Sequence, residues 1–336
     1  MFFSKSIHTI DMHCGGDQFR IIAGGIPHLI GNNIFEKIAY LKNQHYWIVQ
    51  STMQGIGGMP WGAIITEPTI ESADCGIIHI DSCGFSPMCG MGTLALAKAM
   101  VGLGMVDQKT PQTKIIMETP AGIVNAYADI HNGEVVNTSF EGSPSFVWRK
   151  NAQLTIPSLG SIEFDIVFGG NFYILLDADH YGLTIGPANF AQLKSIAIEI
   201  LETANQSIHI HHPDNPEITD LKAVLFCEKL DHHQNSYRLQ CIFGDKDVGY
   251  LVDKSTCGTG SCAILARECA DNRLSLQAPL YTEGPMGKGS QFVSKAIGKI
   301  NIGTTQAILP LVSGKAYFIS FNQLLLENDD PYQFVY

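Results

Sequence analysis

One short motif occurs twice in this chain, and its two copies lie half a chain length apart. Residues 88–95 match residues 256–263, and from the cysteine onward both read Cys-Gly-x-Gly-[Ser/Thr]-x-Ala; Cys257 follows Cys89 by half of the 336 residues. Each copy opens a segment with helical patterning. A repeat at half the chain length predicts two similar domains, each with one cysteine at the start of one helix.

The length and composition agree with two folded domains. A chain of 336 residues exceeds what one compact core usually holds, and 45% of its residues are hydrophobic while 16% are charged. We place the first domain at residues 1–123 plus 310–336, with the Cys89 helix. The second domain is placed at residues 124–309, with the Cys257 helix.

Strand-like runs dominate the chain, and helical patterns are few. Runs of β-branched, aromatic and other apolar residues predict strands at residues 46–49, 76–80, 114–117, 164–168, 172–176 and 316–321. Helical periodicity covers residues 90–103, 190–208 and 259–272. Many short strands with a few helices, separated by turns rich in glycine and proline, predict an α+β fold.

The charge and the cysteine content exclude several classes of protein. A net charge of −11 argues against nucleic acid or an anionic membrane as the main partner, since both bind basic surfaces. We find neither a signal peptide nor an apolar run of about 18 residues that would span a membrane. Nine cysteines, an odd number, argue against a secreted disulfide framework. We therefore expect reduced thiols and a cytoplasmic location, with no nucleic-acid or membrane partner.

A cysteine at a helix N-terminus differs chemically from a cysteine in a core. The helix dipole and the unpaired N–H groups of the first turn stabilise its thiolate. The same N–H groups can hold a carboxylate, and neighbouring glycines allow close approach to the backbone. Two such helix starts facing each other would clamp one carboxylate between two thiols. One thiolate would then remove the α-proton while the opposite thiol protonates the other face, which inverts the carbon.

Six other cysteines and several histidines are interpreted as structural. Cys262 and Cys269 lie on the helix after Cys257, and the rest lie in or beside apolar runs: Cys75, Cys83, Cys227 and Cys241. The histidines of residues 209–212 and 232–233 lie in polar loops and are interpreted as solvated. Neither a metal site nor a dinucleotide-binding glycine pattern is predicted, so we expect no metal and no cofactor.

The two cysteine motifs resemble those of the proline racemase family, which includes 4-hydroxyproline epimerases and trans-3-hydroxyproline dehydratases. Residues 86–92 look like the family's first motif, Met-Cys-Gly-His-Gly, and residues 253–260 look like its second, Asp-Arg-Ser-Pro-Cys-Gly-Thr-Gly. Further similar segments are residues 10–16, 168–173, 314–317 and 329–331. The resemblance spans almost the whole chain.

The resemblance implies a fold, a chemistry and a site. The family fold is that of diaminopimelate epimerase: two pseudo-symmetric domains, each a curled sheet around a central helix, with the site in the cleft. By resemblance, Cys89 and Cys257 are the catalytic residues of a cofactor-independent enzyme that acts on a small imino or amino acid. The substrate carboxylate would meet backbone N–H groups of Gly90, Met91, Gly258 and Thr259. Asp253 would pair with the substrate amine, as a carboxylate four residues before a helix start can.

The chain departs from the family pattern at several places near this site. Met91 stands where the family has histidine, and methionine accepts no strong hydrogen bond and transfers no proton. Thr256 replaces proline, the usual Arg-Gly is missing from residues 53–63, and residues 244–252 form a longer stretch than usual. His13 is open to two interpretations, a residue that supports the site or a core histidine. The ring substituent of the substrate and self-association as a homodimer are left open.

Three functions compete. A racemase or epimerase that inverts Cα of proline or a hydroxyproline, such as 4-hydroxyproline, is favoured because both cysteines are present. The alternative enzyme is a trans-3-hydroxy-L-proline dehydratase, a lyase whose members tend to replace one cysteine by serine or threonine. The residues before Cys89 are similar to that branch. A non-catalytic thiol sensor or binding protein is the third candidate, and Met91 favours it.

Overall fold

The computed structural model describes residues 3–55, 57–215, 218–219, 221–230, 235–247, 249–287 and 289–330. The strands in these ranges are β1 (Phe3–Cys14), β2 (Asp17–Gly24), β3 (Trp61–Thr66), β4 (Cys75–Asp81), β5 (Gly84–Ser86), β6 (Gln112–Thr119), β7 (Gly122–His131), β8 (Glu134–Glu141), β9 (Phe146–Ile156), β10 (Gly160–Phe168), β11 (Phe172–Asp177), β12 (Ala223–Lys229), β13 (Ser236–Asp245), β14 (Gly249–Asp253), β15 (Leu280–Glu283), β16 (Phe292–Ile302), β17 (Thr305–Gly314) and β18 (Ala316–Glu327). The α-helices are α1 (Ile34–Gln44), α2 (Trp47–Val49), α3 (Gly90–Gly102), α4 (Phe190–Ser207) and α5 (Gly258–Ala270). Short 3₁₀ turns lie at Ala178–Tyr181 and Pro187–Asn189, and a π-turn lies at Gln50–Gln54.

The chain divides into two compact units. The first comprises Met1–Phe140 and Lys315–Tyr336, and the second comprises Glu141–Gly314. The first unit continues to Phe140 because β6, β7 and β8 form one antiparallel series. The domain limits at 123/124 and 309/310 stay a prediction.

The first unit consists of strands that enclose α3. Strand β1 pairs antiparallel with both β18 and β2, β2 pairs parallel with β3, β3 pairs antiparallel with β4, and β4 pairs parallel with β6. Helix α3 contacts β1, β2, β3, β7 and β18, and eleven of its thirteen residues are buried. A helix that is apolar on all sides must be surrounded by other elements, and here strands of its own unit surround it.

The second unit follows the same plan around α5. Strands β9, β10 and β11 pair antiparallel, β11 pairs parallel with β12, and β15, β16 and β17 pair antiparallel. Helix α5 contacts β9, β10, β11, β16 and β17, and twelve of its thirteen residues are buried. Helix α4 is amphipathic and packs with one face on β9, β12, β13 and β14. Each unit therefore presents one enclosed helix whose first turn follows a motif cysteine.

The three helices predicted from the sequence are present, with ends within two residues of the predicted ones. The predicted strand at residues 46–49 is wrong, because this segment forms α2 and continues into the π-turn. Ile48 and Val49 are fully buried in helical geometry, and the Thr52 hydroxyl donates to the Ile48 carbonyl at 2.6 Å. Tertiary packing overrides the strand preference of these β-branched residues. No helix within the described ranges has the length and apolar character needed to cross a membrane.

A buried ion pair joins β1 to the π-turn. Asp11 and Arg20 lie opposite each other in the β1–β2 ladder, and the guanidinium donates to both carboxylate oxygens at 2.7 and 2.8 Å. The same guanidinium donates to the carbonyls of Thr52 at 3.1 Å and Gly57 at 2.9 Å. Because the buried guanidinium binds Asp11 on the sheet and two carbonyls of the following segment, Arg20 fixes the path of the segment that leads to β3.

His79 is a buried polar side chain. It lies on β4 with 1% of its surface exposed, and neither ring nitrogen has a hydrogen-bond partner among the residues that the structure describes. Its ring meets the Phe19 ring edge-on at a centroid distance of 6.4 Å. Burial lowers the pKa of His79 from 6.5 to about 3. The folded protein therefore holds this imidazole in its neutral form.

This burial makes the stability of the protein depend on pH. Between pH 6.5 and about 3 the unfolded chain binds a proton at His79 and the folded protein does not, so stability falls as the pH decreases through this window. We expect the buried His79 to make the free energy of unfolding about 2 kcal/mol lower at about pH 5 than at about pH 8. Denaturant unfolding of the wild type and of His79→Leu at both pH values measures this contribution of His79 to stability.

The leucine variant should lose the contribution of His79 to the pH dependence and keep those of the other titrating groups. His131→Leu, at an exposed position of β7, is the matched control and should follow the wild type. Equal pH slopes for the wild type and His79→Leu would contradict the assignment.

Candidate active site

Cys89 is the N-cap residue of α3. Its backbone is extended, with φ −130° and ψ 114°, and its sulfur accepts a hydrogen bond from the Gly92 N–H at 3.4 Å. The Thr93 hydroxyl donates to the Cys89 carbonyl at 2.8 Å. The side chain is half-buried. The sulfur therefore occupies the position of a helix-capping oxygen, at the end of the helix where the dipole favours negative charge.

The glycines after Cys89 allow this helix start to pack closely. A Cβ atom at Gly92 would lie 2.6 Å from the Cζ atom of the fully buried Phe19. Gly90 and Met91 are buried with it, and Met91 is only 3% exposed. The Met91 side chain thus belongs to the core of the first unit. The Met91 backbone N–H, in the first helical turn, has no acceptor within the helix.

Cys257 is the N-cap residue of α5 and has the same sulfur contact. The Gly260 N–H donates to its sulfur at 3.3 Å, and the Ser261 hydroxyl donates to its carbonyl at 2.9 Å. Its backbone differs from that of Cys89, with φ +58°, and its side chain is only 3% exposed. A non-glycine residue with positive φ is uncommon and has to be held by its surroundings.

Hydrogen bonds hold the loop before Cys257. The Cys257 N–H donates to the Ser255 hydroxyl at 3.1 Å, and the Ser255 N–H donates to the Asp253 carboxylate at 2.8 Å. The Thr256 hydroxyl donates to the Ser290 carbonyl. Asp253 ends β14 and is buried, and the Gln240 side chain donates to its carbonyl at 2.7 Å. Asp253 is therefore a buried carboxylate joined to the Cys257 loop.

Tyr173 contacts the residues around Cys257 and was not among the predicted site residues. Its hydroxyl forms a hydrogen bond of 2.6 Å with the Thr259 hydroxyl and lies 3.7 Å from the Cys257 sulfur. Burial is the largest cause that raises the pKa of Tyr173 well above 10, and the nearby Cys257 adds to it. The tyrosine lies in segment 168–173, which resembles the corresponding family segment. This similarity was the sequence feature that could have pointed to Tyr173.

The predicted site residues form two groups, one in each unit. Cys89, Gly90 and Met91 are consecutive at the start of α3. The group in the second unit consists of Asp253, Cys257, Gly258 and Thr259, and Tyr173 joins it. The segment before Tyr173 packs on the same helix start, since a Cβ at Gly169 would lie 2.7 Å from the Ala263 nitrogen.

The other cysteines and histidines lie apart from these groups or support them. Cys75, Cys227, Cys241, Cys262 and Cys269 are buried as predicted, while Cys83 is partly exposed. His212 packs against the Phe168 ring at 4.6 Å between centroids, and burial lowers its pKa. His13 stacks on the Tyr317 ring at 5.0 Å, and burial lowers its pKa with a smaller contribution from Lys98. His232 and His233 lie outside the described residues.

Comparison of the chain with known proteins identifies its family. The proline racemase family profile matches residues 9–336. The chain belongs to this family. It is 32% identical over 334 residues to a proline racemase from Clostridioides difficile, and the alignment covers 98% of each chain.

Two further relatives show the range of activities in the family. The chain is 29% identical over 334 residues to a trans-3-hydroxy-L-proline dehydratase from Burkholderia ambifaria, with 98% of each chain covered. Among solved structures it is similar to a hydroxyproline epimerase from Agrobacterium vitis with bound trans-4-hydroxy-L-proline, with TM-score 0.87 and 26% identity over 99% of this chain and 96% of that one. The resemblance to an enzyme family and the predicted α+β fold are therefore confirmed.

The close packing at Gly92 predicts a local cost in stability. Gly92→Ala should destabilise the protein by about 1–3 kcal/mol, because the new methyl group overlaps the Phe19 ring in a filled core. Gly102→Ala, on the same helix, is the matched control, since its Cβ would have 4.0 Å of room against Phe318. The control should be neutral or more stable by up to about 1 kcal/mol. Thermal or denaturant unfolding measures both, and equal effects would contradict the packing argument.

Proposed function

We propose that this protein is a cofactor-independent racemase or epimerase that inverts Cα of proline or a hydroxyproline. One observation carries the proposal: both repeated motifs place a cysteine sulfur at a helix N-cap. The sulfur–nitrogen distances are 3.4 Å at Cys89 and 3.3 Å at Cys257, so the two thiols have the same capping contact. Inversion in both directions requires a group on each face of the carbon, each able to serve as acid or base, and two capping thiols meet this requirement.

The proposed mechanism uses the first turns of α3 and α5 together. The substrate carboxylate binds backbone N–H groups of Gly90, Met91, Gly258 and Thr259, which have no acceptors within their helices. One cysteine, as thiolate, removes the α-proton, and the other, as thiol, donates a proton to the opposite face. The N–H groups stabilise the enediolate charge that develops on the carboxylate between the two transfers.

Asp253 is proposed to bind the substrate amine. Its carboxylate is buried, one oxygen accepts the Ser255 N–H, and a carboxylate in this position can accept further hydrogen bonds from an ammonium group. Met91 replaces the family histidine and its side chain is buried, so its thioether supplies no amine contact. We propose that amine recognition in this protein depends mainly on Asp253.

The presence of both cysteines favours inversion over elimination. A dehydratase needs one base at Cα and an acid for the leaving hydroxyl, so its two positions need not carry equivalent groups. Dehydration of trans-3-hydroxy-L-proline is kept as the second candidate because of the relative from Burkholderia ambifaria. We further propose a cytoplasmic location, in which both thiols stay reduced, and a homodimeric assembly.

A panel experiment in deuterated water tests the function. The wild-type protein is incubated with the L and D forms of proline and with the isomers of 3- and 4-hydroxyproline, and the products are followed by NMR and chiral chromatography. We expect inversion at Cα with uptake of solvent deuterium. An imine-forming product from trans-3-hydroxy-L-proline, with no inversion of any isomer, would replace the proposal by the lyase. Oxidised Cys89 or Cys257 without any turnover would support the thiol sensor.

Single cysteine variants test the two-thiol mechanism. Cys89→Ser and Cys257→Ser should each lower the rate of inversion by at least about 100-fold, because a serine hydroxyl is far less acidic than a thiol and cannot be the resting base. Each variant should still bind substrate through the backbone and exchange the α-proton of one enantiomer. Polarimetry and deuterium exchange measure these two activities.

Cys83→Ser is the matched control, since this thiol is partly exposed and lies on no proposed site element. It should retain wild-type turnover. If only one of the two motif cysteines mattered, the symmetric mechanism would be wrong and an elimination chemistry would be favoured.

A further inference from the structure

The Cys257 sulfur is surrounded by neutral hydrogen-bonding groups. The Gly260 N–H, the Tyr173 hydroxyl and the Thr259 hydroxyl lie 3.3, 3.7 and 4.0 Å from it. The Cys241 thiol also interacts with it; burial, followed by this interaction, raises the pKa of Cys241 well above 9. Asp253 and Cys262 act on this cluster at longer range. Each of the four contacting groups is uncharged.

The two hydroxyls of Tyr173 and Thr259 can match either protonation state of the sulfur. They carry two protons, and the hydrogen bond of 2.6 Å between them uses one. The other proton can point to the sulfur when the sulfur is a thiolate. When the sulfur is a thiol, the tyrosine oxygen can instead accept the S–H, because a hydroxyl both donates and accepts. A fixed cation would favour the thiolate alone.

We infer that Tyr173, acting with Thr259, is a positioning residue that holds the Cys257 sulfur in one place in both its thiol and thiolate forms. The inference rests on the proposed function, in which this sulfur alternates between the two forms. The tyrosine is fully buried on β11 and its hydroxyl lies 3.7 Å from the sulfur, so in this role it acts through Cys257. Its hydroxyl remains protonated at neutral pH because burial raises its pKa.

Tyr173 also packs in the core, and a purely structural role makes different predictions. Its ring meets the Phe243 ring edge-on at 5.8 Å between centroids. Tyr173→Phe keeps this packing and removes only the hydroxyl. Tyr237→Phe is the matched control, because Tyr237 is a buried tyrosine of the same hydrophobic cluster whose hydroxyl bonds to Glu268. A structural role predicts similar consequences for the two substitutions at the Cys257 sulfur.

The first measurement is alkylation of each cysteine by iodoacetamide over a range of pH, resolved by peptide mass spectrometry on the full chain. In Tyr173→Phe we expect the pH midpoint for Cys257 to rise by about one unit, because hydrogen bonds to a charged acceptor are roughly twice as strong as neutral ones. At pH values well below the midpoint, the thiolate fraction then falls about tenfold. Higher intrinsic nucleophilicity offsets part of this, so the alkylation rate should fall about threefold.

Cys89 provides an internal comparison in the same sample, since it lies on another helix in the other unit. Its alkylation profile should be unchanged in Tyr173→Phe, and both profiles should be unchanged in Tyr237→Phe. An unchanged Cys257 midpoint in folded Tyr173→Phe protein would overturn the inference. An equal change at Cys89 and Cys257 would also overturn it, because that pattern indicates a general loss of structure.

The second measurement is turnover of the isomer that the wild type inverts best. Tyr173→Phe should lower kcat by about tenfold with KM nearly unchanged, because a positioning residue acts on the Cys257 sulfur and not on substrate binding. A rise in KM at constant kcat would overturn the positioning role. If the wild type turned over no substrate, the proposed function would fail, while the alkylation profiles would still decide whether Tyr173 controls the sulfur.

A second pair of variants covers the case in which Tyr173→Phe does not fold. Thr259→Val keeps the shape of the side chain and removes the hydroxyl that bonds to Tyr173, whereas Thr259→Ser keeps the hydroxyl. We expect Thr259→Val to reproduce the raised Cys257 midpoint and Thr259→Ser to restore most of the wild-type value. Identical midpoints for the two variants would overturn the inference.

Discussion

The enclosure of α3 and α5 by the strands of their own units is the constraint on which the site depends. Each helix is buried on nearly all sides, so its axis and its first turn are fixed by packing. A free helix of thirteen residues would be marginal in water, and burial rather than propensity stabilises it. The cysteine before each helix takes its position from this packing, and its sulfur replaces the oxygen that normally caps a helix. The proposed reacting group is thus part of the framework that positions it.

Close packing at the two helix starts explains why small residues surround the cysteines. Because Gly92 has no side chain, the Phe19 ring can pack against it in the first unit, and Gly169 in the same way allows the first turn of α5 to pack closely in the second. These glycines bring core groups close against the helix ends. The buried Asp11–Arg20 pair contributes in another way, because it fixes the π-turn segment to the sheet from inside the protein.

The helices of the site were predictable because their signal is local. Cys-Gly-x-Gly before an apolar helix can be recognised in eight residues, and its repetition predicted two units of one plan. Tyr173 could not be assigned a role in this way, because its partners Cys257 and Thr259 lie far along the chain and only the β11–α5 packing joins them. The π-turn was missed for a related reason: Ile48 and Val49 favour strands locally, and the core around them selects a helix.

The capping role of the sulfurs links reactivity to folding. A thiolate accepts a hydrogen bond more strongly than a thiol does, so each proton that leaves Cys89 or Cys257 tightens a helix end and each proton that arrives relaxes it. Over one proposed cycle of inversion the two helix ends would exchange these states. Alkylation ends the exchange at one helix, because a thioether is a weak acceptor. A covalent inhibitor of either cysteine would therefore uncap the helix behind it, and its binding could be detected as a loosening of that unit as well as a loss of turnover.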